Sequence, residues 1–194
     1  EEAFAINTRI EYDDDGHIVA ISQGNRTNIN NNEAITHRYR YDAFGLIVRY
    51  TAPQSTIPYS YSYDAVGNLI ASFNPDGIET NYSYNSTGQV IEVTSGIGTA
   101  RENTAIYDYD AVGNLIYADT GDGIEHRYEY DAANRLISVD DLAVDGVRHT
   151  RQFTYDEAGR LSRYQDETGL ITLYNYDLFG NIVSVQQSDQ LGDN

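Results

Sequence analysis

The sequence predicts an all-β protein, built as a repeat array of about eight antiparallel β-hairpins in a curved, single-layer meander sheet. Three observations predict this fold: Tyr-x-Tyr alternations, an Asp-x-x-Gly string that recurs every 21 to 29 residues, and turn residues between short apolar runs. Alternation with a period of two is typical of strands, and regular turn signals are typical of a meander. No segment keeps an apolar period of about 3.6 residues, so we expect almost no helix.

The repeat is the strongest signal in the chain. The string Tyr-Asp-x-x-Gly-x-aliphatic starts at eight positions, and the octet YDAVGNLI is identical at 63–70 and 109–116. Asn85 replaces the aspartate in one copy, and Asn134 replaces the glycine in another. From residue 63 onward a larger unit of 46 residues is apparent. The structural motif residues are Tyr12, Asp13, Gly16, Tyr41, Asp42, Gly45, Tyr63, Asp64, Gly67, Tyr84, Gly88, Tyr109, Asp110, Gly113, Tyr130, Asp131, Asn134, Tyr155, Asp156, Gly159, Tyr176, Asp177 and Gly180.

Each copy has the residues that a hairpin needs. Asp-x-x-Gly fits a type I turn followed by a left-handed residue, because aspartate bonds the turn's backbone and glycine tolerates a positive φ. Asn134 fits the same place, since asparagine is the side-chain-bearing residue that best tolerates that conformation. In this geometry Tyr63 lies opposite Leu69, and likewise Tyr109 opposite Leu115 and Tyr130 opposite Leu136. Turns such as 74–77 and 166–169 close the other ends of the strands.

The two faces of the predicted sheet differ. Fourteen of the 18 tyrosines and Phe153 are expected to form two aromatic ladders across one face, where aromatic pairs fix the strand register. The other face carries polar pairs such as Arg38 and Arg40 together with aliphatic residues such as Ile70 and Ile116. We expect twist to curl such a long strip and its end strands to need a continuation, a cover or edge-to-edge self-association.

Composition excludes several classes of function. The chain has 194 residues and a formal net charge of −18, so a nucleic-acid partner is not expected. It lacks cysteine, which excludes disulfides and thiolate chemistry, and it has no apolar run that predicts a membrane span. The charge has two interpretations: it prevents aggregation of exposed edges, or it suits a salty or calcium-rich surrounding. The absence of methionine predicts a piece of a longer polypeptide.

We predict one array over residues 1–194, with units near residues 12, 41, 63, 84, 109, 130, 155 and 176. An inserted loop is expected at 22–35, where asparagine is frequent, and a frayed end at 187–194, where the pattern stops.

The motif Tyr-x-Tyr-Asp-x-x-Gly-(Asn/Arg)-Leu-Ile closely resembles the YD repeat of the Rhs family, which is also found in toxin-complex C subunits and teneurins. The match runs from Tyr12 to Val183. The resemblance implies hairpins joined into a spiralling β-shell, which in bacterial members encloses a toxic C-terminal segment and is exported or lies at the cell surface. The family's autoproteolytic core motif is missing from this sequence, so its cleavage chemistry has no counterpart among these residues.

The sequence predicts no enzyme, no cofactor and no metal site. Most carboxylates stand at turn positions, and the acidic turns near residues 13 and 119 lack the spaced ligands of a calcium loop. His37 and His126 occupy the same place in their units and are expected in the aromatic ladder. No catalytic serine, phosphate-loop or zinc-protease motif is present.

Two functions remain open from the sequence. The first is a structural scaffold, a fragment of a shell that encapsulates or displays a toxin or other C-terminal cargo of an exported bacterial protein. Its partners are the remaining repeats of the parent polypeptide and the cargo. The second is an adhesion module at a secreted or cell-surface location, with exposed tyrosines bound to carbohydrate.

Overall fold

A computed structural model describes residues 6–24 and 34–189. Sixteen β-strands and no helix occur in these ranges, which confirms the predicted fold class. The chain divides into two compact units, Glu1–Asn103 and Thr104–Asn194.

The first unit is a meander in which each strand pairs antiparallel with the next. The Asp-x-x-Gly turns all fall at the same end of the hairpins. Its strands are β1 (Asn7–Tyr12), β2 (Ile18–Gly24), β3 (Ile35–Tyr41), β4 (Ile47–Thr51), β5 (Tyr59–Tyr63), β6 (Leu69–Phe73), β7 (Glu79–Tyr84) and β8 (Val90–Ser95).

The second unit repeats this plan, with each strand again paired to the next. Its first strand begins at Asn103, the last residue of the first unit. The strands are β9 (Asn103–Tyr109), β10 (Leu115–Asp119), β11 (Ile124–Tyr130), β12 (Leu136–Ala143), β13 (Arg148–Tyr155), β14 (Leu161–Gln165), β15 (Ile171–Tyr176) and β16 (Ile182–Ser188).

Each unit is a single layer of strands without a closed core. Contacts between elements join strands that are neighbours in sequence. No large side chain among the described residues is fully buried, and the buried apolar residues are few and mostly small: Ala20, Ala105, Ala118, Val139 and Ile171. Within 6–24 and 34–189 no second layer covers either face of a unit, so the stability of these strands has to come from contacts within the sheet.

Every hairpin contains a one-residue bulge where its second strand begins. Tyr63 pairs with Leu69 and Ser62 pairs with Ala71, so Ile70 has no partner. Ile91, Ile116 and Ile137 stand unpaired at the same place in their hairpins. The aliphatic residues that the sequence analysis assigned to the polar face are therefore bulge residues. A bulge increases the local twist of the strand that carries it.

Two predicted segments are partly outside the described residues. The inserted loop was predicted at 22–35, but Ser22–Gly24 belong to β2 and Ile35 begins β3, while 25–33 lie outside the described ranges. The frayed end was predicted at 187–194, but Gln187 and Ser188 still belong to β16, and 190–194 lie outside. Among the described residues, no helix meets the length and hydropathy needed to span a membrane.

Candidate functional site

The repeated Asp-x-x-Gly turn is built by one aspartate. Asp64 Oδ1 accepts hydrogen bonds from the main-chain nitrogens of Val66 at 3.0 Å and Asn68 at 2.8 Å. The Gly67 nitrogen donates to the Asp64 carbonyl at 3.2 Å, which closes the turn, and Gly67 has a φ of 93°. This is the turn that the sequence predicts.

The two copies that depart from the motif keep this geometry. Asn85 Oδ1 accepts from the main-chain nitrogens of Thr87 and Gln89, as the aspartate does elsewhere. Asn134 adopts a φ of 59°, the left-handed conformation that glycine supplies in the other copies. Asparagine can fill both places because its carbonyl oxygen is an acceptor and its short polar side chain tolerates a positive φ.

The motif tyrosine fastens one hairpin to the one before it. Tyr84, at the end of β7, donates its hydroxyl hydrogen to the carbonyl of Leu69, the first residue of β6, at 2.8 Å. Leu69 in turn lies opposite Tyr63, as predicted. Six of the eight motif tyrosines make this bond to the residue two positions after the preceding motif glycine, or after Asn134 in its place: Tyr41, Tyr63, Tyr84, Tyr130, Tyr155 and Tyr176. We call this bond the tyrosine latch.

In three hairpins, the residue after the motif glycine, or after Asn134 in its place, lies against the ring of the next motif tyrosine. The His17 ring stacks on Tyr41 with centroids 4.8 Å apart. The guanidinium carbon of Arg135 lies 4.7 Å from the centroid of Tyr155, and arginine covers Tyr176 in the next hairpin in the same way. The latch hydroxyl is thus bonded while the ring of the same tyrosine is covered, so these side chains are occupied within the sheet.

Local contacts shift the titration of both partners. The Asn68 amide, which donates to Asp64 Oδ2 at 2.9 Å, holds the pKa of that carboxyl below its ordinary value of 3.8. Corresponding amides lower the pKa of Asp110 and Asp177. Burial, and then the charge of Asp42 in the preceding turn, raises the pKa of Tyr63. The shifts favour a charged turn aspartate and a protonated latch tyrosine.

The two predicted aromatic ladders do not form. Among the described residues, ring contacts occur as a run of Tyr39, Tyr50 and Tyr59, with centroids 5.4 and 5.7 Å apart, and as a separate pair of Phe153 and Tyr164. Corresponding tyrosines of neighbouring hairpins are two strands apart, about 10 Å, which is beyond ring contact. A ladder continues only where the strand between them also carries an aromatic residue, as β4 does with Tyr50.

The two histidines that occupy the same place in their units make different contacts. His37 stacks on Tyr50, and its Nδ1 lies 2.9 Å from the Tyr50 hydroxyl, so it contacts an aromatic ring although the predicted ladder does not form. His126 Nδ1 lies 2.8 Å from Asp141 Oδ1 instead. Asp141 lies directly opposite His126 in the register and also binds Arg151 at 2.6 Å. Histidine, cysteine and carboxylate side chains form no metal-binding group within 6–24 and 34–189.

The turns also expose apolar side chains that the sequence analysis did not single out. Phe44 is 85% exposed, Val66 is 83% exposed and Phe179 is 91% exposed, and each stands directly before the motif glycine. The signal was present, because an apolar residue two positions after the aspartate has no partner inside the hairpin.

Two family models of known proteins match this chain. The family model of the teneurin YD-shell matches residues 5–141, and the model of the RHS repeat matches residues 155–190. The crystal structure of TcdB2-TccC3 is similar with a TM-score of 0.71 and 16% identity, over 93% of this chain and 10% of that chain. A structure of the Photorhabdus luminescens Tc holotoxin pore, with a substitution in TccC3, is similar with a TM-score of 0.64 and 19% identity, over 92% of this chain and 12% of that chain. No curated protein sequence matches.

Proposed function

The chain belongs to the teneurin YD-shell family, and on that premise we propose that it is a length of wall in a β-shell that encloses or displays a polypeptide cargo. The proposed wall is non-enzymatic and part of a protein that is secreted or held at the cell surface. The chain spans about a tenth of the length of the solved structures that it resembles, which supports a role as one segment of a larger whole.

The observation that carries the proposal is the tyrosine latch. Each latch joins a hairpin only to the preceding hairpin, as Tyr63 does with the Ile47 carbonyl at 2.8 Å. An array held in this way can be lengthened by adding hairpins, because no central core has to be closed. The remaining repeats of the parent polypeptide are then the natural partners of the open strand edges.

A glycan-binding role is less well supported by the contacts. The hydroxyls of the latch tyrosines are bonded to main-chain carbonyls, and several of their rings are covered by the residue after the preceding glycine. Tyr39, Tyr50 and Tyr59 stack on one another. A glycan array tests this alternative directly: no binding by the intact chain, with Tyr107 and Tyr109 in place, removes it.

Protease protection tests the shell. In the full parent polypeptide that contains this chain, added protease should leave the enclosed C-terminal segment intact under conditions that digest the same segment when it is free. Replacing Tyr63 and Tyr84 by phenylalanine should increase its digestion. Tyr39→Phe should not, because the Tyr39 hydroxyl makes no hydrogen bond among the described residues and its ring is kept. Equal digestion of the enclosed and the free segment would overturn the proposal.

A further inference from the structure

The first unit carries a cluster of arginines that lack carboxylate partners. Arg38 and Arg40 lie on β3, two residues apart and hence on one face, and Arg40 lies directly opposite Arg49 on β4. All three side chains are exposed. Among the described residues none of the three forms an ion pair, although other arginines of the chain do, for example Arg135 with Asp131 at 2.6 Å.

This cluster is unexpected in so acidic a chain. The formal net charge is −18, and 30 carboxylate side chains are available to neutralise 12 basic ones. Like charges directly opposite each other in an antiparallel pair destabilise the sheet. On β1–β6 the face that carries the cluster has one carboxylate, Glu11, which is two strands away from Arg38 and already pairs with Arg9 at 3.2 Å.

The residues around the arginine cluster favour the binding of an anion. Hydroxyl side chains flank the arginines on the same face: Thr51 pairs with Arg38, and Ser60 pairs with Arg49. Guanidinium groups bind carboxylate with two parallel hydrogen bonds, and hydroxyls donate further ones. The pair Arg40 and Arg49 can hold one carboxylate between them, and Arg38 can hold a second.

We propose that Arg38, Arg40 and Arg49 form a docking site for a short, extended acidic polypeptide segment with carboxylates on alternate residues. On a strand, residues two apart are about 7 Å apart on one face, and an extended peptide presents its alternate side chains at the same spacing. Arg38 and Arg40 therefore match two such carboxylates.

The charge of the chain limits the length of this ligand. Beyond β6 the same face continues with Glu79 and Glu92, since Glu79 pairs with Phe73 and Glu92 lies opposite Ser83. A long polyanion such as a nucleic acid or a sulfated glycan would extend over these carboxylates and be repelled. A segment of a few residues stays within the arginine cluster, where contacts shorter than the Debye length of about 8 Å dominate.

Peptide titration tests the site on the intact chain. The probe is a labelled peptide in which aspartate and serine alternate, and the reference has the same composition with its aspartates clustered at one end. Binding is measured by fluorescence anisotropy. We expect the alternating peptide to bind about threefold tighter than the clustered one, and the variant R38Q/R40Q/R49Q to bind it about tenfold more weakly.

Two further variants separate the site from general charge and from folding. R9Q removes an arginine of the same face that is already paired, and it should change peptide affinity by less than about twofold. R40K/R49K keeps the charge but loses the planar guanidinium groups. It should weaken binding by more than R9Q does and by less than R38Q/R40Q/R49Q does. Melting followed by circular dichroism should show R40Q/R49Q at least as stable as the parent chain, because a like-charge pair is removed.

The outcomes that overturn the site are specific. No peptide binding up to about 1 mM, equal affinity in the triple arginine variant, or equal loss in R9Q each rejects it. Preference for a heparin-derived oligosaccharide or a short oligonucleotide over a peptide of the same charge rejects the polypeptide ligand. None of these outcomes depends on enclosure of a cargo, so they neither support nor contradict the proposed shell function.

Discussion

The hydroxyl of Tyr84 donates a hydrogen bond of 2.8 Å to the carbonyl of Leu69, and Leu69 lies opposite Tyr63. One leucine thus links two motif tyrosines of successive hairpins, by strand pairing on one side and by a side-chain bond on the other. In a sheet without a second layer, such bonds resist the separation of neighbouring hairpins. They give the recurring motif tyrosine a direct role in stability within this chain.

The latch can be tested by removing one oxygen atom. Tyr84→Phe should lower the free energy of unfolding by about 1 kcal/mol, because the ring remains but the bond to Leu69 is lost. Tyr12→Phe is the matched control, since Tyr12 holds the same motif position, is 59% exposed and makes no side-chain hydrogen bond within the described residues. Urea unfolding measures both. Equal effects of the two substitutions would contradict the latch.

Arg160 connects three parts of two hairpins. It bonds Asp156 Oδ2 at 2.7 Å, donates to the Asp177 carbonyl at 3.1 Å, and lies 4.6 Å from the centroid of Tyr176. Arg160→Asn copies the residue found at the same place in the third hairpin, Asn68, and keeps an amide for the turn aspartate. It should still cost about 1 kcal/mol, through the lost cation–π contact and the lost bond between turns.

The control for Arg160 is Arg101→Asn, an exposed arginine in the loop before β9. This variant makes the same change of charge without removing a tyrosine contact. Its unfolding free energy should change by less than about 0.5 kcal/mol. A comparable loss in both variants, measured by urea unfolding, would show that charge rather than the contact with Tyr176 is responsible.

In the fourth hairpin, the turn needs a glycine only because of the left-handed backbone conformation at that position. Gly88 has a φ of 81°, and a Cβ atom added there would meet nothing within 4 Å. Gly88→Ala should therefore cost about 1–2 kcal/mol from the left-handed conformation and nothing from steric overlap. Gly88→Asn should cost less, because Asn134 already fills this place in another turn. Thermal melting measures the stability of the parent chain and of the two variants. Equal melting temperatures of the alanine and asparagine variants would contradict the explanation.

The sequence predicted the contacts between residues that are close together in the chain, but it did not predict the side-chain contacts between neighbouring hairpins. The turn and the pairing of Tyr63 with Leu69 follow from Asp-x-x-Gly, since every group involved lies within seven residues. The side chain that lies over the Tyr176 ring is Arg160, sixteen residues earlier. At the same position, directly after the motif glycine, other hairpins have His17 and Asn68. Because the residue type varies, no motif marks it. The bulge had a signal, namely two consecutive aliphatic residues such as Leu69 and Ile70, which break the alternation of a strand.

Acid should destabilise the turns. The pKa values of Asp64, Asp110 and Asp177 lie below the ordinary value of 3.8, mainly because an asparagine amide donates a hydrogen bond to each carboxylate. A folded-state pKa that is lowered contributes stability above the unfolded value, and this stability is lost as pH falls through the folded value. The melting temperature should therefore fall as the pH decreases below about 3.8.

The variant D64N/D110N/D177N is the matched test of this pH dependence. Asparagine keeps the acceptor oxygen, as Asn85 shows, but cannot be protonated in this range. Its melting temperature should fall less between pH 4 and pH 2 than that of the parent chain. Parallel curves for the two chains would show that other carboxylates govern the acid transition.

Self-repulsion of the acidic chain should be visible in its response to salt. A net charge of −18 disfavours the compact state, and salt screens interactions between exposed charges. The melting temperature should therefore rise with sodium chloride.

In the first turn, Asp13 supplies the oxygen that accepts from the main chain, while Asp14 and Asp15 are exposed beside it. D14N/D15N removes two negative charges without removing that acceptor, so it should raise the melting temperature at low salt and reduce the further gain from salt. A melting temperature that is independent of salt in both chains would show that the charge serves solubility or the surrounding medium rather than limiting stability.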